Sequence, residues 1–433
     1  MPHTIVAPVP EAETVHYDLH GVKYSSCIHD HVTIVHRHGQ GRDLTNQQPC
    51  AVILSDGTWM MCWTQATEEA AKDESVVGAV SRDGGRTWSR PFFIEESIDE
   101  RTASWGMLFA VPHTSRVYCI YWFNENAFWL RDAGSLYFRF TDDRGVTWSE
   151  RRRISIPRHA LDVDGEEQHG WNTGFPILTA DGAMLLGFAK IHPPSMTRDE
   201  PGHMYGDPDF WHSESFFLRC PNVLSEDDPA KLEFQVTPEG PVGLWAPHVE
   251  RPEQHFAQEP YMAILPSGRI IATMRTRTLH PCYSVSDDGG ITWTQAVPLR
   301  FTPGGEKMKH PAGPCPITAT PDGRVIFLFR NDNAPVGERH LSYWRNRDPI
   351  HVTVGREMPL AARGLPPEEA NAGLVFNAPK VLLSGVNIGE GEYKPYRTAQ
   401  YAQLLHWAGR FFAVYSSEKT DMVVKEIPAE MFG

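Results

Sequence analysis

Basic charge is scarce in this chain of 433 residues: 40 Lys and Arg stand against 54 Asp and Glu, for a net charge of −14. A surface of that sign disfavours nucleic acid and anionic membrane as partners, yet it permits a local basic pocket for an acidic ligand. Cysteine is sparse too. The seven residues (Cys27, Cys50, Cys62, Cys119, Cys220, Cys282, Cys315) are scattered, odd in number and free of any C-x-x-C pair. That pattern argues against a disulfide framework or a zinc site and for buried free thiols. No apolar run reaches membrane-spanning length. The start, Met1-Pro2-His3-Thr4, lacks a basic segment followed by an apolar one, so a cytoplasmic location is expected. No cofactor or metal motif is found; His29 and His31 alternate along a strand-like run and read as partly exposed neutral rings.

What the chain does have is turns and aromatic rings, with 35 Gly, 35 Pro and 13 Trp. One octapeptide, Ser/Thr-x-Asp-x-Gly-x-Thr-Trp, occurs at Ser81–Trp88, Thr141–Trp148 and Ser286–Trp293. Its Asp is placed to accept backbone N–H groups across a tight turn, its Gly to take a positive φ, and its Trp to anchor the following strand. Asp83, Asp143 and Asp288 therefore read as fold stabilisers. A second repeat, apolar strand, Gly-containing turn, apolar strand, occurs six times, at Ala51–Trp63, Met107–Trp122, Phe175–Ala189, Met262–Met274, Ile317–Phe329 and Ala402–Tyr415. Six hairpins spaced in this way predict an all-β, six-bladed β-propeller occupying 1–433 as a single domain.

The last hairpin is followed by only one more strand, Met422–Ile427. An N-terminal strand within 1–40, either Val22–Ser25 or Val32–Val35, is expected to complete that blade and remove an open edge. Residues 191–240 and 359–395 are polar, rich in Pro and acidic residues, and read as long loop inserts, the second with a short helix near Pro366–Ala372. In a propeller, residues just before each first strand and just after each second strand converge on the central channel. Those positions include Gln47, Gln48, Trp105, Trp171, Glu259 and Tyr401 from the starts, and Arg275, Arg277 and Arg330 from the finishes. Carboxylate, phenol, guanidinium and indole gathered at one mouth suit a carbohydrate or another acidic ligand.

With these residues in view, the chain resembles the sialidase superfamily, whose six-bladed propellers carry the octapeptide as the Asp-box. The stretch Gln258-Glu259-Pro260 through Arg275 to Ser286-Asp287-Asp288 is similar to the family segment bearing a glutamate and then a substrate-binding arginine. Gln400-Tyr401-Ala402 resembles the segment of the nucleophilic tyrosine, and Lys72-Asp73-Glu74 the loop of the acid/base aspartate, with Glu74 and Glu69 as rivals. The resemblance implies a retaining exo-glycosidase: Tyr401 as nucleophile, Glu259 as its base, Asp73 as acid/base, and a cluster of Arg275 with Arg339 on an anionic group. Arg330 and Arg277 are further candidates for that cluster, and Trp105 for a sugar-facing ring. The chain departs from the family at Gln47, two residues before Pro49, where the first arginine is expected; a glutamine amide does not replace a bidentate guanidinium. The expected ligand is accordingly a sialic-acid-like sugar, a uronic acid or a neutral sugar.

Two other readings use different residues. His169, at the start of the third blade, paired with Tyr205 or Tyr401 would suit proton abstraction beside a uronate, the chemistry of a polysaccharide lyase. A propeller with neither constellation would be a glycan-binding module.

Overall fold

The structure, a computed structural model, describes residues 16–19, 22–25, 28, 31–128, 130–193, 212–332, 347–385 and 398–433. Among them there is no α-helix, and no helix long and apolar enough to cross a membrane. Six antiparallel sheets form the six blades of a β-propeller. Blade 1 consists of Thr45–Ile53, Trp59–Ala66, Ser75–Ser81 and Phe92–Glu95, from the channel outwards. Blade 2 runs Ala103–Ala110, Val117–Phe123, Ser135–Thr141 and Arg152–Arg153. Blade 4 repeats the plan with Gln258–Ile264, Ile270–Arg275, Cys282–Ser286 and Val297–Pro298.

Blades 3 and 5 correct the expectation of long loops. Residues 191–240 contain Ser213–Cys220 and Gln235–Thr237, which pair as the outer strands of blade 3 beyond Met184–Ile191. Residues 359–395 contain Leu374–Phe376 and Lys380–Leu383, both paired with Ile350–Glu357 in blade 5. The helix expected near Pro366–Ala372 is replaced by two 3-10 turns, Pro359–Ala362 and Asn371–Gly373. One turn does form, with Ala370 N donating to Pro366 O at 3.0 Å, but Asn371 and Ala372, both at φ 51°, end it.

The ring closes through blade 6. Its strands Ala399–Trp407, Arg410–Ser417 and Asp421–Ile427 are completed by Val32–His36, antiparallel to the third with Val423 opposite Ile34 and Lys425 opposite Val32. Of the two candidate closing strands, the second does the work. Val22–Ser25 pairs instead with His16–Leu19.

Second strands such as Trp59–Ala66 and Met184–Ile191 are buried along their whole length because a blade neighbours another blade on each face. Alternate side chains feed the two interfaces. Trp59, for example, meets Trp407 and Phe412 of blade 6 edge-on at 5.6 and 4.9 Å. The six described cysteines are buried free thiols, as expected from their scatter.

Each Asp-box closes the turn between a third and a fourth strand. In the first, Ser81 Oγ donates to Asp83 Oδ1 at 2.8 Å and accepts from Gly85 N at 2.9 Å, while Thr87 N and Oγ1 donate to the Asp83 carboxylate at 2.8 and 2.6 Å. Gly84 and Gly85 take φ of 72° and 81°; in the second copy Arg144 fills the first of these left-handed positions at 60°. The Trp of the third copy stacks on Phe217 at 4.0 Å. Hydrogen bonds from the Thr147 side chain and backbone hold the Asp143 carboxyl at about 2. This lowered value means the turn's contribution is present above pH about 4 and is lost as pH falls towards 2. Asp143→Ala is expected to lower stability by about 1–2 kcal/mol at pH 7, measured by denaturant unfolding, and by progressively less at pH 3.

Candidate active site

Four of the six inner strands carry the same one-residue bulge. Opposite one residue of the second strand, the inner strand places two between Gln47 and Cys50, Ser104 and Met107, Gln258 and Tyr261, and Gln400 and Gln403. Within each bulge one residue is left-handed: Gln48 at φ 52°, Trp105 at 57°, Glu259 at 53° and Tyr401 at 52°. An αL conformation is costly for large side chains and persists where surrounding structure enforces it, commonly beside a site. Here it interrupts the strand's alternation at the same level of four blades.

Two of these residues meet. The Tyr401 phenol donates to Glu259 Oε1 at 3.3 Å, and Arg275 Nη1 donates to the same oxygen at 2.9 Å. All three are buried, with Glu259 Oε2 left without a hydrogen-bond partner among the described residues. Burial and the Glu259 charge push the Tyr401 phenol above its ordinary value, against the opposing pull of Arg347 and Arg275. A phenol in that state gives up its proton only to a base at hand, and Glu259 is placed to be one.

Around this pair lies an excess of positive charge. Arg347 Nη2 donates to Ala312 O at 2.9 Å and Nη1 to Gln400 Oε1 at 3.4 Å; Arg330 Nη2 donates to Ala399 O at 3.2 Å. These acceptors are neutral, and among the described residues neither charge meets a carboxylate directly. Burial, and then the charge of Arg347, pushes Arg330 down to about 9, and burial followed by Arg275 lowers Arg347 as well. Three buried guanidinium groups, Arg275 on Glu259 and Arg347 and Arg330 on neutral oxygens, could seat an anion.

The loop joining the second and third strands of blade 1 brings its carboxylates to different ends. Glu74 is fully buried and bonded to Arg131 and Ser104. Glu69 sits 2.6 Å from Lys419 Nζ and 3.6 Å from Arg131; burial raises its carboxyl, but those two cations outweigh burial and hold it at about 2. Asp73 is half-buried and accepts from Thr67 N at 3.2 Å and Thr67 Oγ1 at 2.5 Å, with no cation upon it.

The remaining candidates scatter. Gln47 is fully buried and neither polar atom of its amide has a hydrogen-bond partner. Trp105 is buried under Arg131, whose guanidinium lies 4.9 Å over its ring. Arg277 lies on the Phe256 face at 5.0 Å and 3.3 Å from His248 Nε2. His169 is buried, with Nδ1 bonded to Asp132 at 2.8 Å and Phe128 against its ring, so it does not present a base to an open pocket. Arg339 and Tyr205 lie outside the described residues. Arg347, Arg131 and Lys419 were not anticipated, although one rule finds all three. In an antiparallel blade the third strand starts at the end where the second finishes, and Arg131, Arg347 and Lys419 precede the third strands of blades 2, 5 and 6 by two to four residues.

Comparison with known proteins bears on the family and the fold. The chain matches the BNR repeat-like domain over residues 57–359. A sialidase from Paraclostridium sordellii is 27% identical over 153 residues, 32% of this chain and 37% of that protein, so the match spans well under half of its length. Among solved structures, the leech intramolecular trans-sialidase in complex with 2,7-anhydro-Neu5Ac has a TM-score of 0.62 at 12% identity, covering 95% of this chain and 72% of that one. Hadza microbial sialidase Hz136 has a TM-score of 0.60 at 14% identity, covering 93% and 69%. At such identities the structural likeness is one of fold.

Two outcomes test the electrostatics. If an anion binds at this cluster, Arg347→Met is expected to weaken that binding by about tenfold or more in calorimetric titration. Its melting temperature should hold, since relief from desolvation and like charge offsets the lost bonds. His310 is buried, Nε2–H donating to Gly313 O at 3.0 Å and Nδ1 accepting from Arg330 N at 3.1 Å; burial, with the charges of Arg330 and Arg347, lowers it from 6.5 to about 3. A lowered folded value means the neutral ring stabilises the fold above pH about 6.5, and this is lost as pH falls from there towards 3. The stability lost between pH 7 and pH 5 should shrink in His310→Gln, measured by denaturant unfolding.

Proposed function

The chain belongs to the BNR repeat-like family, as a propeller of the sialidase superfamily, and we propose on that premise that it is a retaining glycoside hydrolase acting on a terminal acidic sugar of a glycan. The observation that carries the reading is the hydrogen bond from the Tyr401 phenol to Glu259, itself held by Arg275.

In the first step the Tyr401 oxygen attacks the anomeric carbon and its proton passes to Glu259. The bond to the leaving oxygen breaks as Asp73 supplies that oxygen with a proton. In the second step Asp73, now ionised, takes a proton from water, whose oxygen attacks the same carbon; Tyr401 departs and recovers its proton from Glu259. Two inversions give retention. Asp73 is preferred as the acid on physical grounds: Glu69 at about 2 is ionised at neutral pH, and Glu74 is bound to Arg131. A general acid of this kind contributes ~10²–10⁴ in rate.

The anionic group of the sugar is assigned to Arg275, Arg347 and Arg330. Gln47 stands on the side where a further guanidinium is expected, so the amide offers a hydrogen bond without charge there. That substitution favours an acid gripped from one side, a sialic-acid-like sugar or a uronic acid.

A screen of chromogenic sialosides, uronides and rhamnosides tests the proposal. Turnover of the accepted sugar should be lost in Tyr401→Phe. In Asp73→Ala it should fall by ~10²–10⁴ for poor leaving groups and much less for activated aryl glycosides. Unchanged turnover in Tyr401→Phe rejects the assigned nucleophile.

A further inference from the structure

On the same end of the ring as Glu259, where blade 3 meets blade 4, two imidazoles and a carboxylate converge outside the catalytic pair. His212 directly precedes the strand Ser213–Cys220, Glu214 is the second residue of that strand, and His255 lies just ahead of Gln258–Ile264. Ser213 N donates to His255 O at 3.0 Å and Ala257 N to Ser213 O at 3.0 Å, which fixes the two segments side by side. One ligand atom from each of His212, Glu214 and His255 lies within 4.8 Å of the others.

The surroundings hold these groups in place. Glu214 is 1% exposed; Oε2 accepts from Gly243 N at 2.7 Å and Oε1 lies 2.6 Å from His255 Nδ1. Trp245 lies flat on the His255 ring at 3.8 Å and 7°, and the His212 ring meets His255 edge-on at 4.9 Å. A buried carboxylate beside two imidazoles is a donor set of the kind that holds a divalent cation. Nearby, His192 gives its Nδ1–H to Leu161 O at 2.9 Å, which leaves Nε2 as the basic nitrogen, with its ring 6.4 Å from that of His212.

We propose that His212, Glu214 and His255 bind one divalent ion of the zinc class, with His192 on the side of the fourth position. Zinc–ligand bonds of about 2.1 Å set ligand atoms roughly 3.4 Å apart in a tetrahedron, so the cluster closes by small side-chain shifts. The ion displaces the proton shared by His255 Nδ1 and Glu214 Oε1, which leaves to solvent. It would staple the third strand of blade 3 to the segment leading into blade 4. Gln258, beside Glu259, donates from Nε2 to Ser213 Oγ at 3.0 Å, so the staple also braces the catalytic carboxylate's neighbour.

The test uses the full chain stripped with chelator. Titration with Zn²⁺ by calorimetry should show one tight equivalent, Co²⁺ should give the visible absorption of a low-coordinate site, and Zn²⁺ should raise the melting temperature. His212→Ala should weaken Zn²⁺ binding at least ~10-fold and abolish the Co²⁺ band, while His406→Ala, an exposed histidine elsewhere, should change neither. Glu214→Gln should behave as His212→Ala does; if it fails to fold, His212→Ala alone decides. Zn²⁺ affinity and stoichiometry equal in wild type and His212→Ala would overturn the site, whatever the glycosidase assays report.

Discussion

The propeller depends on one junction: the antiparallel pairing of Val32–His36 with Asp421–Ile427. Without it, Asp421–Ile427 would present unpaired amides and carbonyls along a sheet edge. With it, blade 6 is complete and packs on blade 1 through Trp59, Trp407 and Phe412. Closure fixes the ring's diameter, and the ring's diameter fixes what can touch across the channel. Tyr401 of blade 6 reaches Glu259 of blade 4 because both blades are held at that spacing.

Within this frame the chemistry is placed by a repeated irregularity. A regular strand alternates its side chains between two inter-blade interfaces. The one-residue bulge breaks the alternation at Gln48, Trp105, Glu259 and Tyr401, and the surrounding sheet sustains their left-handed backbones. The electrostatic arrangement follows. One carboxylate is paired with Arg275, and two further buried guanidinium groups, Arg347 and Arg330, are satisfied by neutral oxygens. The protein itself thus bears the desolvation cost of two cations that have no carboxylate contact among the described residues.

Six hairpins, their turns and the Asp-boxes were legible in the sequence because each rests on short-range chemistry: Gly at positive φ, Asp across a turn, apolar runs of strand length. The third strands of blades 3 and 5 were legible at Phe216–Leu218 and Val352–Val354, within Ser213–Cys220 and Ile350–Glu357, but the fourth were not, because those blades lack an Asp-box and because Gln235–Thr237 and Lys380–Leu383 are short and flanked by Pro and charge. Glu259 and Tyr401 were found from their positions ahead of inner strands. Their bulges were not, since nothing in Gln-Glu-Pro or Gln-Tyr-Ala distinguishes an extra residue from a regular one. Arg347 went unread for a topological reason, as only first-strand starts and second-strand finishes had been counted.

Blade 6 draws its outermost strand from residues 32–36 and its other three from residues 399–427. During synthesis, then, the first strand made of that sheet waits unpaired while five other blades emerge from the ribosome. The tyrosine arrives on the last sheet to form. The ring therefore cannot close until translation has passed residue 427, and a product cut short before the strand Asp421–Ile427 leaves residues 32–36 without their partner, as an exposed, adhesive edge.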